Sequence, residues 1–271
     1  MRILVTNDDS YRAKGVKVLS RMMRAFGEVT VVSPKFPQSG MGMAVSLGKE
    51  QMGAKDLGVD DDGVKWVYLD ATPASCVKYA LNFCYPDGKP DVVVCGINHG
   101  SNACTAACYS GTLGAAQEAA LNGIPAIGVS LDAYSPDADF WAVERFFPGI
   151  FIRIMDNLPV SFGTYYNVNF PDLPSSEIKG IRASVMGIGR WIKEFVPYDP
   201  EGKGGPAPVN QEGESLWRMA GIYEDAPGNH IRADHHMVME GYISISAHKI
   251  DTTDTAEFTR MLCSGFDRDF K

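Results

Sequence analysis

The first half of the chain alternates short apolar runs with segments in which apolar residues recur at helical spacing. The apolar runs predict five strands: Arg2–Thr6, Val29–Ser33, Val64–Leu69, Asp91–Cys95 and Ile124–Ser130. Helices are predicted between them, around Val16–Phe26, Pro73–Phe83 and Ser110–Leu121. Since strands joined through helices run parallel, this repeat requires a parallel sheet with helices on both faces. The fold class is therefore α/β.

The pattern changes after about residue 136. One more helix is predicted over Asp139–Leu158, and strands over Tyr165–Phe170, Ile181–Val185 and Tyr242–Ala247. Tyr198–Glu214 is crowded with Gly, Pro, Glu and Asn, which favours an extended loop, mobile or stabilised by a partner. We expect an α/β catalytic domain over residues 1–180 and a β-rich arm over residues 181–271 that contacts another subunit.

Charge and cysteine usage limit the classes of partner. The 271 residues carry a formal net charge of −8, and an acidic surface repels nucleic-acid backbones and anionic membranes. No apolar run is long enough to span a bilayer, and the first strand begins too early for a signal peptide. The six cysteines include no Cys-x-x-Cys pair, which favours reduced thiols. We therefore expect a cytoplasmic protein that binds a small molecule and copies of itself, with no nucleic-acid polymer and no membrane as partner.

The ends of the predicted strands indicate where a ligand would bind. In an open parallel sheet, ligands lie beyond the carboxyl ends of the strands. Oxygen donors or glycine turns follow four of them: Asn7–Asp9, Pro37–Gly42, Asp70–Pro73 and Gly96–Asn102. This edge is predicted to hold the functional site.

Asp8 and Asp9 are adjacent carboxylates, and burying both without a cation would be costly. Together with Ser39 and Asn98 they offer carboxylate, hydroxyl and amide oxygens, which suit Mg²⁺, Mn²⁺ or Ca²⁺. The sequence therefore predicts one divalent cation per subunit, held by these four residues. The alternative is that one carboxylate caps the next helix while the other faces water.

Two further features predict a phosphate site beside the cation. The glycine turn after Ser39 allows backbone N–H groups to approach an anion, and the helix that begins at Ser110 presents free N–H groups and a positive dipole end. A tight turn or an ordinary cap explains either feature alone, so the prediction depends on their combination. The residues predicted to bind the substrate are Asn7, Ser39, Gly40, Asn98, Ser110, Gly111 and Thr112.

The histidines contribute less to the prediction. His99 follows Asn98 and is expected to contact solvent, although it could also protonate a leaving group. His235 and His236 are adjacent, so on a strand they would point to opposite faces and would not share a metal.

Several ordered motifs make the chain similar to one family, the SurE stationary-phase survival proteins. In the first half the motifs are MRILVTNDDS at residues 1–10, SPKFPQSGMGMAVSL at 33–47, DATPASCVKYAL at 70–81 and the block with GINHGSN and YSGTLGAAQEA at 91–130. YNVNFP at 166–171 and GYISIS at 241–246 follow in the same order. The chain differs from the family pattern at Ser10, where glycine is usual, and over Ala103–Ala107, where glycine and acidic residues are common.

The resemblance implies a Rossmann-like domain with a protruding C-terminal region that forms a homodimer or homotetramer. It implies a divalent cation, Mg²⁺ or Mn²⁺, at Asp8, Asp9, Ser39 and Asn98, the positions already selected by the strand ends. The implied activity is that of a 5′/3′-nucleotidase, which hydrolyses nucleoside monophosphates and some other phosphate esters.

The predicted reaction follows from charge. A cation neutralises the developing negative charge, and Asp8 or Asp9 orients a water and accepts its proton. Two alternatives remain at this point: a receiver-like regulatory module phosphorylated at Asp70, and a protein that binds a nucleotide without turnover.

Overall fold

A computed structural model describes residues 1–199, 202 and 204–267. In the first half of the described chain the strands are β1 (Arg2–Thr6), β2 (Glu28–Pro34), β3 (Ala54–Val59), β4 (Lys65–Leu69), β5 (Val92–His99) and β6 (Ala126–Leu131). In the second half they are β7 (Thr164–Phe170), β8 (Ile181–Ser184), β9 (Gly189–Ile192), β10 (Phe195–Pro197), β11 (Trp217–Met219), β12 (Ile222–Asp225) and β13 (Ile243–Lys249). The helices are α1 (Lys14–Met23), α2 (Pro73–Tyr79), α3 (Gly111–Leu121), α4 (Trp141–Asp156), α5 (Asp234–Met239) and α6 (Thr255–Cys263).

The main sheet has nine strands in the order β3-β4-β2-β1-β5-β6-β7-β13-β8. Neighbouring strands are parallel in the run β4-β2-β1-β5-β6-β7. Strand β3 pairs antiparallel with β4, and β13 pairs antiparallel with β7. Helices α1 and α4 pack on one face, and α2 and α3 on the other. The predicted α/β sheet with helices on both faces is confirmed.

Strand β1 shows why the central strands are apolar throughout. Ile3 and Val5 belong to the core beneath α1 and α4, while Leu4 belongs to the core beneath α2 and α3. All three side chains are fully buried. Alternate side chains of a strand face opposite sides, so a strand covered on both sides must be apolar at every position. Burying one such side chain contributes about 1.5–3 kcal/mol.

The C-terminal part both completes the main sheet and forms a separate β-rich region. Strands β8 and β13 lie parallel to each other at one edge of the main sheet, although both follow residue 180. Two short antiparallel pairs, β9 with β12 and β10 with β11, form the extra C-terminal strands, which we call the arm hairpin. The domain boundary at residue 180 and the assembly role of the arm stay predictions.

Some elements differ from the sequence prediction. Strand β3 was not predicted, because every one of its residues is exposed and it lacks an apolar run. The predicted helix over Pro73–Phe83 is α helical only to Tyr79, and a π-helical turn over Ala80–Cys84 continues it. The segment predicted as a loop, Tyr198–Glu214, carries no named strand or helix where it is described; residues 200, 201 and 203 lie outside the described residues.

All six cysteines are free thiols, as predicted from their spacing. In the described ranges no helix combines the length and apolar character needed to cross a membrane.

Candidate active site

The strand ends meet at a cavity of about 650 Å³ on the carboxyl edge of the main sheet. Five residues predicted for the site line it: Asp8, Ser39, Gly40, Asn98 and Ser110. Asp8 follows β1, Asn98 lies near the end of β5, and Ser110 directly precedes α3. Parallel strands that end at one edge bring these distant stretches together, as the sequence predicted.

Asp8 is a carboxylate in an unfavourable environment. Its side chain is buried and accepts hydrogen bonds from the Thr112 hydroxyl, at 2.7 Å to Asp8 Oδ1, from the Thr112 backbone N–H and from its own backbone N–H. Desolvation, and then the negative charge of Asp9, raise the pKa of Asp8 from 3.8 to about 6. No Lys or Arg side chain is among the described residues that line the cavity. A divalent cation would therefore relieve this environment, and the oxygen donors present fit one.

Asp9 is held by His99. Its Oδ2 atom accepts hydrogen bonds from the His99 backbone N–H at 3.1 Å and lies 3.0 Å from His99 Nδ1. The His99 side chain is 10% exposed and packs edge-on against Phe140. The expectation that His99 contacts solvent was therefore wrong, because β5 continues to this residue and carries its ring beneath α1 and Phe140.

The start of α3 approaches Asp8 closely. Ser110 caps the helix, since its hydroxyl accepts the Leu113 N–H at 3.1 Å. A Cβ atom on Gly111 would lie 2.8 Å from Asp8 Cβ, so the missing side chain is what lets the helix N-terminus reach the carboxylate. Gly40, across the cavity, adopts a φ of +77°, a conformation that glycine tolerates without strain. The predicted pairing of a glycine turn with a helix N-terminus is present in the structure.

Asn7 and Thr112 have other partners than the predicted phosphate. Asn7 is fully buried; its amide donates to the Ser10 carbonyl at 3.0 Å and accepts from the Ser33 hydroxyl. Thr112 is also fully buried and directs its hydroxyl to Asp8. Neither residue lines the cavity. Both therefore shape the acidic loop rather than present a side chain to the cavity.

Ser10 occupies a position where the resemblance leads one to expect glycine. Its φ is +84°, in the left-handed region that glycine prefers. Two contacts accompany this conformation: the carbonyl of Ser10 accepts from Asn7, and its hydroxyl accepts from the Arg12 N–H at 3.4 Å. A glycine would adopt this conformation without strain.

The walls of the cavity were not predicted. Tyr109, Tyr134 and Trp191 line it together with Met219 and Gly221 of the arm hairpin region. Their sequence context, in irregular segments without periodicity, gave no signal. The sequence motifs GINHGSN and YNVNFP contain three asparagines, Asn102, Asn167 and Asn169, whose mutual contacts were not predicted: they bond to one another through side chains and backbone. This network fixes the loop after β5 that supports the cavity.

The segment that departs from the family pattern lies between the cavity and the arm hairpin. It forms a single 3₁₀ turn over Cys104–Cys108. The Thr105 hydroxyl donates to the Gly189 carbonyl at 2.8 Å, and Cys104 Sγ lies 2.8 Å from the Tyr223 hydroxyl. Ala106 reaches the cavity. The contacts of Cys104 and Thr105 join the 3₁₀ turn to the arm hairpin.

His235 and His236 were expected on a strand, and this was wrong. Both lie in α5, a short helix with buried Met237 and Val238 on its other side. Adjacent residues of a helix are separated by about 100° around the axis, so their rings can turn to one side. Their ring centroids are 4.1 Å apart.

The chain is similar to known proteins of one family. A model of the family "Survival protein SurE" matches residues 3–193. A relative from Cytophaga hutchinsonii, "5′-nucleotidase SurE", is 37% identical over 99% of this chain and 96% of its own length. A relative of the same description from Christiangramia forsetii is 37% identical over 93% of this chain and 92% of its own length.

The solved structures give the same result. The crystal structure of SurE protein from Aquifex aeolicus superposes with a TM-score of 0.77 at 27% identity, covering 98% of this chain and 99% of that one. The family model covers well over half of the chain, and the relatives cover nearly all of it. The chain belongs to the SurE family.

Proposed function

We propose that this protein is a divalent-cation-dependent phosphatase that releases phosphate from nucleoside 5′-monophosphates, and from 3′-monophosphates as a second substrate class. The observation that carries the proposal is one cavity with two kinds of wall: acidic and amide oxygens at the strand ends, and aromatic rings opposite them. The first suits a cation with a phosphate, and the second suits a nucleoside. The relatives described as 5′-nucleotidases support this assignment.

The cation would be held by Asp8, Asp9, Ser39 and Asn98, one ion per subunit. Asn98 donates its amide N–H to the Gly100 carbonyl at 2.8 Å, which leaves its amide oxygen free to act as a ligand. Ser39 is exposed at the rim of the cavity and can turn its hydroxyl inward. These hard oxygen donors favour Mg²⁺ or Mn²⁺. When bound, such a cation polarises the phosphate and lowers the pKa of a water.

The chain itself supplies positioning and a base. Asp9 is fixed by two contacts with His99, so one oxygen is oriented and the other is available to accept a proton from the attacking water. Gly40 and Ser110 line the cavity, and their backbone N–H groups would hold the phosphate. The Thr112 hydroxyl donates a hydrogen bond to Asp8 Oδ1 and so holds this carboxylate in position.

The aromatic wall supports a nucleoside as the remaining part of the substrate. The rings of Tyr109 and Trp191 lie edge to face with centroids 6.3 Å apart, and Tyr134 lines the cavity as well. Aromatic faces stack on any base, so this wall favours nucleotides over small phosphate esters with modest choice among bases.

Two further properties belong to the proposal. The arm carries exposed apolar side chains at Phe195, Trp217, Met219 and Ile222, which supports its predicted role in a homodimer or homotetramer. Six free thiols support a reducing, cytoplasmic location. Light scattering after gel filtration would give the assembly state.

The two alternatives are less well supported. Asp70, which a receiver-like module would phosphorylate, forms an ion pair with Lys49 at 2.8 Å and does not line the cavity. The relatives described as 5′-nucleotidases favour turnover over nucleotide binding alone.

The experiment that tests the proposal measures phosphate release from 5′- and 3′-nucleoside monophosphates with Mn²⁺, Mg²⁺ or EDTA. Asp9→Asn keeps the shape of the side chain but removes the base and a ligand charge, so we expect release to fall by at least about 100-fold. Asp70→Asn is the matched control, because it removes an acid from a neighbouring strand end outside the cavity. Full activity in Asp9→Asn, or activity that persists in EDTA, would overturn the assignment.

A further inference from the structure

Asp225, His235 and His236 bring three potential metal ligands together, away from the candidate active site. His235 Nε2 lies 3.1 Å from Asp225 Oδ1, and His236 Nε2 lies 2.7 Å from Asp225 Oδ2. One ligand atom from each residue falls within 4.8 Å of the others. Asp225 ends β12, while the histidines begin α5, so two separate elements meet at this point.

The His235 ring is held in a defined orientation. Its side chain is 11% exposed, and Gly187 lies so close that a Cβ atom there would be 2.2 Å from His235 Nδ1. The ring of Tyr223 packs edge-on against it, with centroids 5.8 Å apart. An imidazole fixed in this way loses little side-chain entropy when it binds a cation.

A second carboxylate lies behind His235. Its Nδ1 atom is 3.6 Å from Asp234 Oδ1, and neither His235 Nδ1 nor Asp234 Oδ2 has a hydrogen-bond partner among the described residues, although both are buried. A metal-ligating imidazole usually donates its second ring N–H to a carboxylate or carbonyl group. The surroundings of His235 therefore suit a ring whose Nε2 atom binds a metal.

We propose that Asp225, His235 and His236 bind a transition-metal cation of the Zn²⁺ class, as a site distinct from the one at the strand ends. Two imidazole nitrogens and one carboxylate oxygen are a donor set that zinc adopts, with a fourth position left for water. The two sites differ in chemistry, since hard oxygen donors at the strand ends favour Mg²⁺ or Mn²⁺. This proposal goes beyond phosphatase activity and does not depend on it.

The site would fasten the arm hairpin to the body of the protein. Asp225 pairs with Gly189 at the end of the β9–β12 ladder, and the same ladder pairs Tyr223 with Trp191. The histidines are on α5, which is anchored by Met237 and Val238 beneath it. A cation shared by both elements fixes the strand that carries Trp191, and with it one wall of the cavity.

Metal binding by the full-length chain is the direct test. Metal-stripped protein is kept in saturating Mg²⁺ and titrated with Zn²⁺ by calorimetry, and with Co²⁺ by its visible d–d absorption. We expect one Co²⁺ or Zn²⁺ per chain, with affinity reduced at least about tenfold in Asp225→Asn and in His236→Gln. Glu224→Gln and His230→Gln are matched controls, because they change a neighbouring acid and a neighbouring histidine outside the cluster.

Three outcomes would overturn the site: no binding to the wild type in Mg²⁺, equal affinity in the cluster variants, or equal loss in the controls. Asp9→Asn distinguishes this proposal from the phosphatase assignment, since it should retain the Zn²⁺ site while losing phosphate release. Circular dichroism confirms that each variant is folded.

Hydrogen exchange tests the fastening role. Zn²⁺ should slow amide exchange in residues 189–192 and 222–225 of the wild type and leave these amides unchanged in Asp225→Asn. Zn²⁺ binding without this protection would overturn the role assigned to the hairpin.

Discussion

At the scale of single residues, Asp8 combines a structural cost with a functional use. Its carboxylate is taken out of water, receives hydrogen bonds from Thr112 and faces the charge of Asp9. Such an arrangement destabilises the protein while no cation is bound, and the same destabilisation makes a cation bind more tightly. Burial of the Asp8 carboxylate beside Asp9 therefore causes both the loss of stability without a cation and the tighter binding of a cation.

The first prediction concerns stability without a cation. The pKa of Asp8 is raised from its ordinary value of 3.8 to about 6 in the fold, so between these pH values the folded chain binds more protons than the unfolded chain. Stability therefore falls as pH rises from about 4 to 6 and stays lowered above it. In EDTA, Asp8→Asn should raise the free energy of unfolding by an amount on the order of 2 kcal/mol at neutral pH. Near pH 4 the same substitution should leave the free energy of unfolding unchanged.

Urea unfolding at several pH values measures this effect. Asp61→Asn is the control, since Asp61 is exposed in a turn and its change should leave the pH dependence as it was. An Asp8→Asn variant with the stability and pH dependence of the wild type would show that the buried carboxyl carries no such cost.

The second prediction concerns His99 as a positioning residue for Asp9. His99→Leu removes the donor at Nδ1 and should lower kcat about 10- to 100-fold with little change in KM, because Asp9 then loses its orientation. His99→Asn places an amide N–H close to where Nδ1 lies and should recover most of the activity. Steady-state kinetics at saturating Mn²⁺ measures both variants. If the two variants were equally impaired, the hydrogen bond would not be what matters.

At the scale of elements, the cavity is assembled from two sources. Ends of β1 and β5 and the start of α3 supply the polar side, while Tyr109 and Tyr134 of the body and Trp191 of the arm hairpin supply the aromatic side. The polar side is rigid because its elements are buried in the core on both faces of the sheet. The hairpin is attached to the body by the contacts of Tyr223 and Thr105 and by those of Asp225 with the α5 histidines.

The third prediction concerns Trp191 on β9. Trp191→Ala should raise KM for nucleoside monophosphates about 10-fold, since base stacking on an aromatic ring contributes about 1–3 kcal/mol. Hydrolysis of glycerol phosphate, which has no base, should keep its kcat/KM. Trp217→Ala is the matched control, because Trp217 is exposed on β11 and does not line the cavity. An equal loss with both substrates would mean that Trp191 only supports the fold.

The sequence predicted the polar side far better than the aromatic side. Asp8, Ser39 and Asn98 could be placed together because apolar runs predict β1, β2 and β5, and the ends of parallel strands coincide. Trp191 and the α5 histidines could not be placed, because the hairpin has no periodic pattern and depends on long-range contacts. Strand β3 was missed for the same reason: its position is set by pairing with β4, and its own residues are exposed.

At the scale of the whole molecule, helix α6 (Thr255–Cys263) contributes no side chain to the core. It is capped by Asp254 and has an amphipathic sequence, yet none of its residues is buried. Ile250, which precedes α6, attaches this end of the chain to the body. Its backbone N–H donates to the Gly163 carbonyl, and its side chain packs against the core. The fold of a single chain therefore does not depend on α6.

The fourth prediction follows from this. Deleting residues 254–271 should leave the circular dichroism spectrum of the sheet intact and shift the Tm by no more than a few degrees in the monomer. Thermal unfolding and light scattering, measured together, separate two effects of the deletion. A large fall in Tm with unchanged mass would show that α6 stabilises its own chain. A fall in mass would show that it joins two chains.

The two-sided cavity has a consequence for how substrate choice can change. The residues that would handle the phosphate lie in the first 112 positions, whereas Trp191, Met219 and Gly221 come from a later stretch that folds as a separate hairpin. Exchanging residues 189–225 for the corresponding stretch of a relative would replace Trp191 and Met219, and Glu194 with them, while Asp8, Ser39 and Asn98 would stay in place. The part of the cavity proposed to contact the base can therefore be varied without changing the residues proposed to hold the cation.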